Sequence, residues 1–111
     1  QIIIRVGNTV LGVESEPIPT EFVLEQNYPN PFNPVTQISY QIPHDSDVNI
    51  TIYDLMGHKV KSLVNSSQKA GYKSIIWNAT NEIGSPVAAG VYVYTIEAGS
   101  FRQSKKMLLL K

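Results

Sequence analysis

No cysteine occurs in the 111 residues, which excludes disulfides and thiolate metal sites and leaves the redox compartment open. Net charge is also missing: nine basic and nine acidic residues cancel, with no block of either sign. A nucleic-acid footprint needs a clustered basic face, and polybasic attraction to a membrane needs a basic run; the sequence offers neither. No wholly apolar run approaches bilayer-spanning length, Met107 to Leu110 being typical. Helical periodicity with caps is lacking throughout, so helix content is expected to be minimal. The chain starts at Gln1 without an initiator methionine or a secretory apolar region, and is read as a piece of a longer protein. Its length fits one domain with a tail, large enough for one real core.

What is present is concentrated in seven residues, Tyr28-Pro29-Asn30-Pro31-Phe32-Asn33-Pro34. Three prolines remove three backbone donors, fix three φ angles and bias the preceding residues towards extended geometry. The segment is therefore expected to be stiff, extended and a poor partner for a sheet, with Tyr28 and Phe32 as aromatic anchors. Two roles fit: a rigid connector covering the edge of a β-domain, or a recognition element with little entropy left to lose.

Upstream, Ile2 to Val6 and Val10 to Val13 read as a short strand pair. Glu14 to Glu21, acidic and twice interrupted by proline, reads as a linker. Downstream the period is two. Ile38, Tyr40 and Ile42 alternate with polar residues, as do Val48, Ile50 and Ile52. A tight turn at Met56-Gly57 leads to a second arm over Lys59 to Val64. Ser66 to Gly71 reads as a loop, Lys73 to Trp77 as a strand, and Asn78 to Ala89 as a turn-rich connection. Val91 to Ala98 and Phe101 to Leu110 form a last hairpin across Gly99-Ser100. Such spacing predicts an all-β fold, an immunoglobulin-like antiparallel sandwich of about seven strands. Trp77 is expected to fill the centre between the sheets, buried together with Tyr92 and the Ile50/Ile52 face. Tyr92 is expected to send its hydroxyl back to the preceding corner, with Gly90 leaving room for that crossing.

The search for chemistry finds no catalytic, cofactor or metal residues. His44 and His58 sit at separate turns without a second histidine at ligand spacing. Asp45 and Asp47 lack the glycine and distal glutamate of a calcium loop. Nucleophile elbow, P-loop and dinucleotide fingerprints are missing. Asn49, Asn65 and Asn78 open glycosylation-type triplets, which are common by chance in such a composition. Tyr53 and Tyr72 are candidates for stacking on sugar, but two tyrosines make no platform.

The order Leu24-Glu25-Gln26-Asn27-Tyr28-Pro29-Asn30-Pro31-Phe32-Asn33-Pro34 resembles the opening motif of type A C-terminal sorting domains of the type IX secretion system. Ile52-Tyr53-Asp54-Leu55-Met56-Gly57 is similar to that family's middle motif. Ala89-Gly90-Val91-Tyr92-Val93-Tyr94 is similar to its following strand, and Lys105-Lys106-Met107-Leu108-Leu109-Leu110-Lys111 to its basic-then-apolar ending. His58 departs from the arginine usual after the glycine. The resemblance covers Phe22 to Lys111. It implies a non-catalytic module, without cofactor, that directs a cargo lying N-terminal to Gln1 across the outer membrane of a gram-negative bacterium. The implied partners are an outer-membrane secretion receptor and a sortase-like protease that removes the module in the upstream linker, leaving the cargo secreted or on the cell surface. By the same resemblance the recognition motif comprises Tyr28 to Pro34, Asp54, Gly57, Gly90, Tyr92, Lys105, Lys106 and Lys111. Two alternatives come from other classes: an assembly module like that of the flagellar hook-capping protein, and a carbohydrate-binding accessory module.

Overall fold

The computed structural model describes residues 17–111, so the expected strands over Ile2 to Val13 and the first part of the linker lie outside the described residues. Seven strands follow: β1 (Val23–Leu24), β2 (Thr36–Ile42), β3 (Ser46–Asp54), β4 (Lys59–Gln68), β5 (Gly71–Trp77), β6 (Gly90–Ala98) and β7 (Phe101–Leu109). They form two antiparallel sheets, β1-β2-β5 and β4-β3-β6-β7. The order exchanges hairpin neighbours for partners further along the chain: β2 pairs with β5, and β3 with β6. This is the immunoglobulin-like sandwich that the alternation predicts.

The alternation works because successive side chains leave a strand on opposite faces, so one register puts every second residue in the core. Ile38, Tyr40 and Ile42 project from the smaller sheet. Val48, Ile50, Ile52, Tyr92, Tyr94, Ile96, Met107 and Leu109 project from the larger one, and all are buried. Trp77, 1% exposed, is buried as expected but lies at one end of this core rather than at its centre, because it ends β5 opposite Thr36, its ring centroid 5.8 Å from Phe32 and 5.5 Å from Tyr92. Its indole N–H donates to the Thr80 carbonyl at 2.9 Å, so burial leaves no polar atom unpaired.

Three further expectations need correction. The stretch Ser66 to Gly71 is not a loop along its whole length, because β4 runs on to Gln68 opposite Ser46. Polar residues suffice there because β4 is an edge strand whose outer part faces water. Gly90 does not make room for the tyrosine crossing, since a Cβ placed on it would meet nothing within 4 Å. Its φ of +146° is the requirement that only glycine meets readily. Pro19, assigned to an unpacked linker, is buried.

Candidate functional site

The segment Tyr28 to Pro34 crosses from one sheet to the other and closes one end of the sandwich. Its prolines donate nothing, yet the residues between them pair on both sides, contrary to the expectation of poor pairing. Tyr28 exchanges N–H and C=O bonds with Gln37 of β2, both at 2.9 Å. Phe32 donates to the Leu108 carbonyl at 3.0 Å and accepts from the Leu110 N–H at 2.8 Å, which ties the segment to β7. Asn30 Oδ1 accepts from the Leu108 N–H at 3.0 Å. The chain bends at residues 29–31 and 33–34 rather than running extended. Of the two expected anchors, only Phe32 is buried. Tyr28 is 80% exposed, because its backbone is fixed by β2 while its ring points away from the core.

A buried polar cluster holds the segment's base. The Tyr94 hydroxyl donates to the Glu25 carbonyl at 2.6 Å and accepts from the Asn27 N–H at 2.8 Å. Asn27 Nδ2 donates to Thr36 Oγ1 at 2.9 Å, and Thr36 Oγ1 donates to the Pro29 carbonyl at 2.9 Å. Burial pushes the Tyr94 hydroxyl up to about 12; the Asn27 N–H bond works against that shift and the nearby Glu25 charge adds to it. Neither Asn27 nor Thr36 was singled out from sequence. The only local hint was a polar residue at each inward-facing position.

The later motifs arrive at the same end. Asp54, the last residue of β3, pairs with Tyr92, which pairs with Met107. Gly90 pairs with Leu109, which in turn bridges to Phe32. Asp54 Oδ1 accepts from the Met56 and His58 N–H groups, both at 2.9 Å, and Gly57 takes a φ of +87° within that turn. These contacts hold the Asp54 carboxyl below its ordinary range, the His58 N–H most strongly. The Tyr92 hydroxyl donates to the Ala88 carbonyl at 2.5 Å, the corner bond expected of it. Burial first, then the Asp54 charge, raises its pKa. Lys105 is half-buried opposite Tyr94, Lys106 is exposed opposite Val93, and Lys111 is exposed beyond β7. The Lys106 carbonyl accepts from Gln26 Nε2 at 2.8 Å.

The remaining candidates stay apart. Tyr53 and Tyr72 belong to different sheets. Asp45, before β3, accepts from the Ala70 N–H at 2.9 Å; Asp47 is not in the turn as expected but within β3, where it accepts from the hydroxyl of its cross-strand partner Ser67. Among the described residues, no group of three or more His, Cys, Asp or Glu is placed to hold a metal. No helix among them is long and apolar enough to cross a membrane.

The fold and site define an immunoglobulin-like sandwich whose four sequence motifs converge on one end, held by backbone pairing rather than arranged around a reactive group. The family described as "Secretion system C-terminal sorting domain" matches residues 26–110, and the chain belongs to it, as a sorting module of type IX secretion. Solved structures with the same fold include PorZ, a surface component of the type IX secretion system of Porphyromonas gingivalis. It is 20% identical with a TM-score of 0.57 over 78% of this chain and 11% of that one. Dimeric latent PorU of the same organism is 22% identical with a TM-score of 0.61 over 93% and 10%. FlgD of P. aeruginosa is 21% identical with a TM-score of 0.53 over 67% and 57%. The chain thus spans about a tenth of PorZ and PorU, and at these identities the likeness is one of fold. No curated protein matches the chain.

Proposed function

We propose that this module is the non-catalytic export label of a cargo lying N-terminal to Gln1. It carries that cargo through the periplasm and across the outer membrane of a gram-negative bacterium to the surface or medium. The observation that carries this reading is the convergence of the four motifs, because residues scattered over eighty positions then present one continuous surface. Within it, Tyr28, Pro29, Asn33, Pro34, Lys106 and Lys111 are exposed and contact an outer-membrane secretion receptor. Asn30, Pro31 and Gly57, exposed as well, shape that surface together with Phe32, Asp54, Gly90, Tyr92 and Lys105.

A sortase-like protease then removes the module upstream of Phe22. A protease needs several residues of extended backbone free of sheet bonds. The proline bonds at Glu16-Pro17 and Ile18-Pro19 disfavour cutting, and Pro19 is packed, so the bonds from Val13 to Glu16 are the first candidates and those around Thr20 the second. The test is a fluorescent passenger carrying a signal peptide and residues 1–111, expressed in a host competent for type IX secretion and in a strain lacking the translocon. Surface or medium fluorescence only in the competent strain is expected, with a mature C-terminus between Val13 and Phe22 by mass spectrometry. Equal periplasmic retention in both strains refutes export. An intact Lys111 on surface protein refutes cleavage alone.

A further inference from the structure

Two turns at the motif end are copies of one another. In the first, Asp54 Oδ1 accepts from the N–H groups of Met56 and His58, the Gly57 N–H donates to the Asp54 carbonyl at 3.0 Å, and the Asp54 N–H donates to the His58 carbonyl at 3.0 Å. In the second, Asn81 Oδ1 accepts from Ile83 at 3.2 Å and Ser85 at 2.9 Å. The Gly84 N–H donates to the Asn81 carbonyl, and the Asn81 N–H to the Ser85 carbonyl, both at 2.9 Å. Gly57 and Gly84 take φ of +87° and +86°. The turns are joined through Glu82, which accepts from the Ser62 N–H at 3.0 Å and lies 3.8 Å from the Lys59 ammonium.

Each turn lifts an apolar side chain at the same position, Met56 at 81% exposure and Ile83 at 84%, with Leu55 beside the first at 63%. Large side chains this exposed, grouped on adjacent loops, point to a partner. The partner's nature follows from two features. The N–H groups of Met56, Gly57, His58, Ile83, Gly84 and Ser85 are bonded within their own turns, which lowers the cost of taking the tips out of water. Among the described residues, five lysines lie towards this end of the larger sheet, Lys59 and Lys61 on one edge strand, β4, and Lys105, Lys106 and Lys111 on or just beyond the opposite edge, β7. Among the described residues, the acids there are Glu25, Asp54 and Glu82. The last two are engaged by backbone N–H groups and, in Glu82, by Lys59. A convex apolar tip backed by cations on flexible stems fits the boundary between anionic head groups and acyl chains.

We propose that the paired turns insert Leu55, Met56 and Ile83 into the margin of an anionic lipid surface, with the lysines at the level of its phosphates. This stands apart from the export reading, since it needs no secretion machinery. The test uses the 111-residue chain with Met56→Trp or Ile83→Trp, and Tyr72→Trp as a control away from the tips. Trp77 is a buried, constant background. Vesicles of phosphatidylglycerol and phosphatidylcholine should shift the emission of both tip variants to the blue and protect them from acrylamide, leaving the control unchanged. The double substitution M56D/I83D, checked for an unchanged melting profile, should lower the bound fraction by about tenfold or more. Added salt should weaken binding. Unshifted tips, an equal shift in the control, or binding only to vesicles carrying outer-membrane proteins would each overturn the lipid assignment, the last in favour of a protein receptor.

Discussion

Replacing Tyr94 with Phe removes one oxygen that two parts of the chain share. The ring stays buried, so packing is kept and the change isolates the hydroxyl. Its loss leaves the Asn27 N–H, itself almost wholly buried, without an acceptor. A stranded buried donor costs about 1–3 kcal/mol, and the Glu25 carbonyl loses a further bond that water replaces only in part. The expected destabilisation is about 2–4 kcal/mol near neutral pH. With a urea slope of about 1–2 kcal/mol/M, the midpoint should fall by roughly 1–4 M. The quenching and shift of Trp77 on exposure report the transition directly.

The same hydroxyl titrates, which supplies a second reading independent of the first. Its folded pKa is raised from 10 to about 12, so the folded state keeps a proton that the unfolded chain has lost. That contribution is fully present below about pH 10 and is lost as pH rises through about 12. Between about pH 9 and pH 11.5 the gap between wild type and Tyr94→Phe should therefore narrow by about 2 kcal/mol. Tyr40 and Tyr92 are also raised by burial, but both proteins carry them and their effect cancels in the difference. A gap below about 0.5 kcal/mol at neutral pH, or one that stays constant into the alkaline range, would refute the shared-hydroxyl account.

Trp77→Ala should cost about 3–5 kcal/mol in denaturant unfolding, because the ring fills the space between Phe32 and Tyr92; an unmoved midpoint would show that it is not core. Asp54→Asn should keep the turn, since Asn81 makes the same bonds in the twin, but remove a stability contribution that is present above about pH 4 and lost as pH falls through the depressed folded value. An acid limb of the stability profile unchanged in that variant would count against it. Gly57→Ala and Gly84→Ala meet no atom but force alanine to positive φ, so each should cost about 1–2 kcal/mol and the two should agree closely in thermal melts.

The inward residues of the strands were legible because period two is a property of a single chain segment. Ile38, Ile50 and Ile52 needed no knowledge of their partners to be placed inside. Trp77 and the Tyr92 corner were legible for a related reason, since both are fixed by neighbours within a few residues, Thr80 and Ala88. The proline segment was visible as a motif but misread as a shape. Asn27, Asn30 and Asn33 are the same residue type in a similar local setting, yet the first is buried and the others exposed. What separates them is the Tyr94 hydroxyl, 67 positions away in sequence. Tyr28 and Phe32 differ in the same manner: one is paired to β2 with its ring outward, the other to β7 with its ring inward.

The twin turn at Asn81 escaped sequence reading because Asn-Glu-Ile-Gly-Ser and Asp-Leu-Met-Gly-His share only the glycine, an apolar residue before it, and a side-chain oxygen three positions ahead of it. That is the minimum the geometry needs: one acceptor oxygen for two amides and one residue tolerant of positive φ. The charges behave likewise. Read along the chain, nine bases and nine acids cancel with no contiguous block of either sign, which argued against a nucleic-acid footprint and against polybasic attraction to a membrane. The antiparallel order then places the start of β4, the end of β7 and Lys111 at one end, where among the described residues lysines outnumber carboxylates by five to three. A patch of this kind is made by topology alone. It also gives the convergence of motifs a physical sense: the residues that close the sandwich's end must be present together for the lysines and apolar tips to share a surface at all. Loosening the base at Tyr94 should therefore impair export and lipid binding together. Aspartates at the tips should abolish lipid binding and leave the folded end intact.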